Sequence, residues 1–273
     1  MYESYWKLDQ RPFCSGCDPR FYYPGQSHQA ALLKLRYAVE NRCGGAILAG
    51  PSGSGKTLLV GMLRSAIAGQ FSPVVHLVFP EMSAESLLGC LADELDAAAD
   101  PASVQSLHHS VRRIERFLTA SAKQGKHAIV VIDEAHLVES SRTWEALRLL
   151  LNFESEGRPG LTLLVVGQPG LLPLMDRMPH FEERLGVKCL LRPFTPSETA
   201  EYVVHRLSVA GRTQACFEPD ALVALHQLTQ GIPRRINRLC DLALLIGYAE
   251  QRTSISGEQI ETISQELVTV APE

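Results

Sequence analysis

Apolar residues in this chain follow two rhythms. From residue 28 to residue 192, short β-branched runs alternate with longer stretches whose apolar positions recur every three or four residues. The runs Ala46–Ala49, Pro73–Phe79, His127–Ile132, Leu161–Val166 and Val187–Leu191 read as strands. Between them, Ser83–Leu95 places Ala84, Leu87, Leu88, Leu91 and Leu95 on one helical face. Val104–Ser121 does the same with Leu107, Val111, Ile114, Phe117 and Leu118. Strands joined by crossover helices predict an α/β fold with a five-stranded parallel sheet covered on both sides. After Leu191 the strands stop. Thr195-Pro196-Ser197-Glu198 is a capping box with Pro at the first helical position, and Tyr202, Val203 and Leu207 continue its apolar face. Further helices are expected at Pro219–Thr229, Pro233–Glu250 and Gly257–Leu267, the last opened by Ser256 with Gln259 three residues on. The expected organisation is a nucleotide-type core at 1–192 and a small all-helical domain at 193–273, without repeats or low-complexity tracts.

Composition narrows the class. Of 273 residues, 45% are hydrophobic and 21% charged, which excludes a wholly disordered chain. A net charge of -4 excludes a blanket polyanion binder and leaves room only for a local basic strip. No apolar run reaches the roughly eighteen residues that span a bilayer. The start MYESYWKLDQRPF lacks the basic lead and apolar stretch of a secretory signal. The expectation is a cytoplasmic protein without a transmembrane segment. Seven cysteines, an odd number in a chain of this size, read as reduced thiols. Cys90, Cys189 and Cys240 stand among apolar neighbours and read as core residues. Cys14 and Cys17 have the spacing of a metal or redox pair. A tetrahedral zinc site needs two more ligands, and neither His28 nor Cys43 stands at a recognisable spacing, so the pair reads as an ordinary loop.

The chemistry concentrates in two segments. Gly50-Pro51-Ser52-Gly53-Ser54-Gly55-Lys56-Thr57 fits GxxxxGK[ST] in full, after an apolar strand and at the opening of a helix. The glycines let the backbone curl so that successive N–H groups point at one phosphate chain, and the positive end of the helix adds to that pull. Lys56 supplies a charge for the β- and γ-phosphates, and the Thr57 hydroxyl is a ligand for Mg²⁺. The second segment, Ala128-Ile129-Val130-Val131-Ile132-Asp133-Glu134, is a buried strand ending in two carboxylates. Asp133 is placed to hold Mg²⁺, and Glu134 to orient and polarise the water that attacks the γ-phosphate of ATP. Asp133-Glu134-Ala135-His136 also spells the DEAH box of a helicase class. Those helicases need two tandem motor domains, and residues 193–273 are too short and too helical to be the second.

An extra strand, Pro73–Phe79, lies between the phosphate loop and the acidic strand, and here the sequence resembles the AAA+ ATPases. Gln168, after strand 161–166, stands where that superfamily carries its first sensor. Arg184, in Glu182-Glu183-Arg184-Leu185, stands where it carries a trans-acting arginine finger, with Arg177 as the competing candidate. Gly231-Ile232-Pro233-Arg234 matches the GxPR motif of the second sensor, while Arg235 and Arg238 read as surface or lid contacts. Within AAA+ the resemblance narrows to the ExeA-like general secretion pathway protein A family. It rests on Tyr5-Trp6-Lys7-Leu8, Arg11-Pro12-Phe13, Asp18-Pro19-Arg20-Phe21-Tyr22-Tyr23, Gly167-Gln168-Pro169, His205-Arg206-Leu207, Ala210-Gly211, Phe217 and Gly231–Asn237, over nearly the whole chain. In that family the N-terminal segment helps enclose the adenine. Phe21, Tyr22, Tyr23 and His28 therefore either line the base pocket or close the edge of the core. Members of the secretion type continue into a transmembrane helix and a periplasmic part. This sequence stops at Glu273 with neither, so an envelope role implies a separate membrane-bound partner.

Two functions compete. One is an ATP-driven motor or switch for a protein assembly, acting as a homo-oligomeric ring or filament. The other is a DNA-associated ATPase regulator of the TniB or Mu protein B type, which grips the DNA backbone through basic loops. No Lys or Arg occurs between Ser72 and Asp100, which disfavours nucleic acid as the partner. Arg112, Arg113 and Arg116 are spread around a helix and interrupted by Glu115, which reads as a solvated face. His76 and the pair His108-His109 carry little signal. The stripe Trp144, Leu147, Leu151 reads as core packing.

Overall fold

Residues 1–14, 16–78, 80–96, 106–155 and 157–269 are described by a computed structural model, the side chains of residues 155 and 267–269 excepted. In chain order the helices are α1 (Gln26–Glu40), α2 (Lys56–Ala66), α3 (Ala84–Leu95), α4 (Leu107–Lys123), α5 (Ser141–Leu150), α6 (Leu171–Asp176), α7 (Pro179–Glu182), α8 (Pro196–Val209), α9 (Pro219–Thr229), α10 (Pro233–Ala249) and α11 (Gly257–Thr269). The strands are β1 (Gly45–Ala49), β2 (Val74–Leu77), β3 (Ala128–Ile132), β4 (Glu154–Ser155), β5 (Arg158–Pro159), β6 (Leu161–Gly167) and β7 (Leu185–Leu190). Phe79 and residues 104–105 of the stretch 104–121 lie outside the described residues.

The chain divides into two compact units. One comprises Ser27–Gly50 and Leu59–Leu191, the other Met1–Gln26, Pro51–Leu58 and Arg192–Glu273. The first unit holds the expected five-stranded parallel sheet, in the order β2-β3-β6-β1-β7. Every residue of the three inner strands β1, β3 and β6 is buried, which is why their sequences are unbroken apolar runs. Of the flanking strands, β7 alternates, with Lys188 standing outward, and β2 is only partly buried. A charge there discourages further pairing on an open edge. Leu87, Leu91, Ile114, Leu118, Trp144 and Leu147 pack with the inner strands into one core. Cys90 is corrected: it is exposed. Its chain neighbours Gly89 and Leu91 are buried, but one step around a helix is about 100°, enough to carry Cys90 out of the core face.

The second unit has its own core, built from α8–α11 and the aromatic N-terminal segment. Tyr2, Trp6, Leu8, Phe13 and Phe21 are buried against Phe194, Tyr202, Leu207, Phe217 and Leu244. The buried side chains of residues 1–26 share a core with these helices. The tie is polar as well: the Trp6 indole N–H donates to Leu244 O (2.7 Å) and the Asp9 N–H to Ala210 O (2.8 Å). Arg206 is only 3% exposed, and it donates to Pro12 O (2.5 Å) and Cys14 O (3.2 Å). The capping box at Thr195 and Glu198 is present in both its hydrogen bonds.

Candidate functional site

All five strands of the sheet run in one direction, so β1, β3 and β6 end at the same edge. The Gly50 N–H donates to Gly167 O (3.1 Å), so the phosphate-loop sequence leaves β1 beside the end of β6. Ligand sites of open α/β sheets lie at this carboxyl edge. Asp133 and Glu134 follow β3 directly, and Gln168 follows β6. Asp133 is 1% exposed; its Oδ1 accepts from the Glu134 N–H (2.9 Å), and its Oδ2 lies 3.2 Å from His76 Nε2. A buried carboxylate is costly unless it is hydrogen-bonded, and these two contacts answer for one bond at each oxygen. Glu134 adopts φ 49° and ψ 34°, a left-handed backbone that costs a non-glycine residue about 1–2 kcal/mol. Such strain concentrates where a side chain must be aimed rather than packed.

Two histidines join this edge. His76 on β2, which the sequence gave little signal, meets Asp133. His136 stands between Glu134 (Nδ1 to Oε2, 3.4 Å) and Gln168 (Nε2 to Nε2, 2.9 Å). Its position in the DEAH string drew attention only to a helicase class. The spacing from Asp133 is visible in the sequence, but the partner just after β6, Gln168, is not.

Within the second unit the loop segment Pro51–Leu58 and the GxPR motif come together. The Arg234 N–H donates to Gly53 O (3.2 Å), and Gly53 has φ +77°. A Cβ on Gly53 would stand 2.6 Å from Arg234 Cβ, so this approach requires glycine on both counts. Lys56 is 5% exposed and donates to Pro51 O (3.1 Å). Arg234, Arg235 and Arg238 have exposed side chains on α10.

Tyr23 packs edge-on against Phe194 (5.4 Å between centroids) and Tyr202 (5.9 Å), and its hydroxyl donates to Glu201 (2.6 Å). Burial and that carboxylate push the Tyr23 phenol well above its usual range. Phe21 is buried under the Arg206 guanidinium at 4.4 Å. Tyr22 is half-buried and His28 buried. Phe21, Tyr22 and Tyr23 thus stand in the second unit, whereas His28 belongs to the first.

Arg184 is not at the carboxyl edge. It precedes β7, whose first residue, Leu185, is in register with Gly45 at the opposite end of β1. At about 3.3 Å per residue, the length of β1 separates it from Gly50. Its side chain is exposed. Arg177 is exposed too and lines a groove of about 430 Å³ floored by Trp144, Met178 and Phe181. Arg113, offered in sequence as part of a basic face, is paired with Asp93 (2.6 Å), and Arg112 with Glu115 (2.7 Å).

Thr57 and Asp133 offer only oxygen donors, the kind Mg²⁺ prefers. No cluster of three His, Cys, Asp or Glu side chains able to hold a metal occurs among the described residues. Among the described residues, no group of three possible ligands includes Cys14 or Cys17. No helix among the described residues is long and apolar enough to cross a membrane.

A family model described as an AAA domain matches residues 39–175. The chain is 31% identical over its full length to general secretion pathway protein A of Aeromonas hydrophila, and it spans about half the length of that relative (50%). Among solved structures, Cdc6p of Pyrobaculum aerophilum matches with a TM-score of 0.74 at 15% identity, over 97% of this chain and 75% of that one. The ORC2 protein of Aeropyrum pernix, in its ADPNP-ADP complexes, matches at 0.67 and 17% identity, over 94% and 72%.

Proposed function

The chain belongs to the AAA-domain family of P-loop nucleoside triphosphatases, and from that membership we propose that it binds ATP and hydrolyses it as an oligomeric motor or switch for a protein assembly. The observation that carries the reading is the convergence at one sheet edge of Asp133, Glu134 and Gln168 with the point where β1 enters the phosphate loop. In this reading the N–H groups of Gly50–Gly55 cradle the phosphates, and Lys56 adds its charge to them. Thr57 and Asp133 would hold Mg²⁺, which neutralises phosphate charge when bound. Glu134 takes the proton of the attacking water, and its left-handed backbone pre-sets the direction of the carboxylate. Gln168 and Arg234 sense the terminal phosphate.

Arg184 acts in trans in this scheme. Its place at the amino end of β7, a strand length from Gly50, and its exposed side chain support that role. A ring or filament in which each copy completes its neighbour's site is the assembly this reading calls for. The likeness to general secretion pathway protein A supports a protein assembly at the envelope as the load. A DNA-bound role has less support, because Arg112 and Arg113 are neutralised by Glu115 and Asp93.

The test is steady-state ATP hydrolysis by the parent and by Glu134→Gln, with and without duplex DNA at two salt concentrations. We expect turnover by the parent, ATP binding without turnover by Glu134→Gln, and no response to DNA. A parent rate retained by Glu134→Gln removes that residue from its role. Strong, salt-sensitive stimulation by DNA replaces the protein-assembly reading with the DNA-bound one.

A further inference from the structure

His136 lies in neither the phosphate loop nor the acidic pair, yet its imidazole touches both groups assigned to act on the terminal phosphate. Its Nε2 stands 2.9 Å from the side-chain nitrogen of Gln168. Its Nδ1 stands 3.4 Å from Glu134 Oε2. As the Gln168 side chain is oriented here, its amide nitrogen faces the ring. Gln168 Nε2 carries two hydrogens and accepts none, so His136 Nε2 is the acceptor and bears no proton. A neutral ring then carries its proton on Nδ1, the nitrogen that faces the Glu134 carboxylate. The Gln168 backbone N–H also approaches Nδ1, at 3.5 Å, a longer contact that only the other tautomer can use.

The approach is built into the backbone. His136 stands in the 3₁₀ turn Ala135–Leu137 that follows the left-handed Glu134. Opposite it, β6 ends in Gly167. A Cβ there would lie 3.2 Å from the His136 N and 3.4 Å from its Nδ1. Glycine at this position leaves room for the turn that carries His136 to approach the end of β6.

We propose that His136 is a positioning residue that couples the Gln168 amide to the Glu134 carboxylate through one imidazole. This rests on the catalytic reading of Glu134 and Gln168 given above. A shift of the Gln168 amide toward a phosphate withdraws the donor from Nε2. The ring is then free to take the opposite tautomer, which removes the Nδ1 proton from Glu134. Occupancy of the sensor is thereby reported to the base by a change of tautomer, in which water takes the proton from Nδ1 and returns one to Nε2.

Two measurements on the full chain test the link. The first is nitrogen NMR of histidine-labelled, nucleotide-free protein at pH 8, with His136→Gln identifying the resonance. The Nδ1–H tautomer is expected in the parent and its loss in Gln168→Ala; the Nε2–H tautomer in the parent overturns the proposal. The second is single-turnover ATP hydrolysis with ATP affinity measured in parallel, for His136→Ala, Gln168→Ala and the double variant. We expect each single variant to be slower by about tenfold with affinity unchanged, and the double variant to be no slower than the slower single. Rates that multiply in the double variant, or a parent rate in His136→Ala, overturn it. His136→Gln, whose amide can still meet Gln168, is expected to be faster than His136→Ala, which separates positioning from a fold defect. Should the parent bind no ATP, the functional reading fails, while the tautomer result still decides whether the link exists.

Discussion

Replacing Arg206 by Met should loosen the N-terminal segment. Arg206 is buried in the second unit, where it donates to Pro12 O, Cys14 O and the Tyr202 hydroxyl, and its guanidinium lies 4.4 Å from the centre of the Phe21 ring. Hydrogen bonds from a charged donor contribute about 1.5–3 kcal/mol each, and a desolvated cation over an aromatic face about 2 kcal/mol. Met keeps most of the volume, and the released carbonyls can regain water if the segment moves. The net loss is then about 3 kcal/mol, short of the sum of the parts. At a urea slope near 1.5 kcal/mol/M this moves the midpoint down by about 2 M. Trp6 and Trp144 are the two tryptophans, one in each unit. Urea unfolding followed by Trp6 fluorescence in a Trp144→Phe background therefore reports on the unit that holds Arg206. A loss below about 1 kcal/mol would refute the clamp and leave the apolar packing of Trp6 and Phe13 as what holds the segment.

Arg184→Ala should leave ATP affinity unchanged and lower turnover of the assembled protein by about 10³-fold or more. An unchanged assembled rate would clear Arg184, and the same experiment on Arg177→Ala would then test the competitor. Tyr23→Ala should weaken ATP binding by about tenfold while the thermal midpoint stays within a few degrees; unchanged affinity would mean that the aromatic cluster only closes the core. His127 is buried beside Phe71 and Thr162, and burial, with a smaller contribution from Arg42, lowers its value to about 4 from 6.5. The unfolded chain takes up the proton first as pH falls. The contribution is therefore complete above pH 6.5 and is lost as pH drops toward 4, on the order of 3 kcal/mol across that window. Denaturant titrations between pH 7 and pH 4.5 should show this slope in the parent and not in His127→Gln; equal slopes would contradict it.

Much of the sheet was legible because its inner strands are buried on both faces. Ala46–Ala49, 127–132 and 161–166 read as unbroken apolar runs, and a run of that kind bounded by turn residues has few other meanings. The helical region was legible for a different reason: Thr195, Pro219 and Pro233 mark helix starts chemically, without reference to packing. Helix α1 was missed because Leu33 and Tyr37 are exposed, 70% and 58%, and blur the face formed by Ala31, Leu35, Ala38 and Val39. The packing of the N-terminal segment is not legible in the sequence because its aromatics have no periodicity. Their partners lie some two hundred residues away, as Trp6 with Leu244 and Pro12 with Arg206.

The candidate site divides along the same line. Spacing within one segment makes Gly50–Thr57 and the pair Asp133 and Glu134 candidates. Contacts between segments were invisible: His76 meets Asp133 only because β2 and β3 are neighbours, and His136 meets Gln168 only because β3 lies beside β6. The exposed Cys90 shows the limit of reading burial from chain neighbours alone.

Binding of ATP with Mg²⁺, titrated at equilibrium against the parent and against Lys56→Ala, reaches the central claim with no assumption about partner or assembly. The parent should saturate with one nucleotide per chain, and Lys56→Ala should bind at least tenfold more weakly, a difference of about 1.4 kcal/mol. A parent that binds no ATP, or a Lys56→Ala variant that binds it equally well, would contradict the assignment of Gly50–Thr57 as the phosphate site.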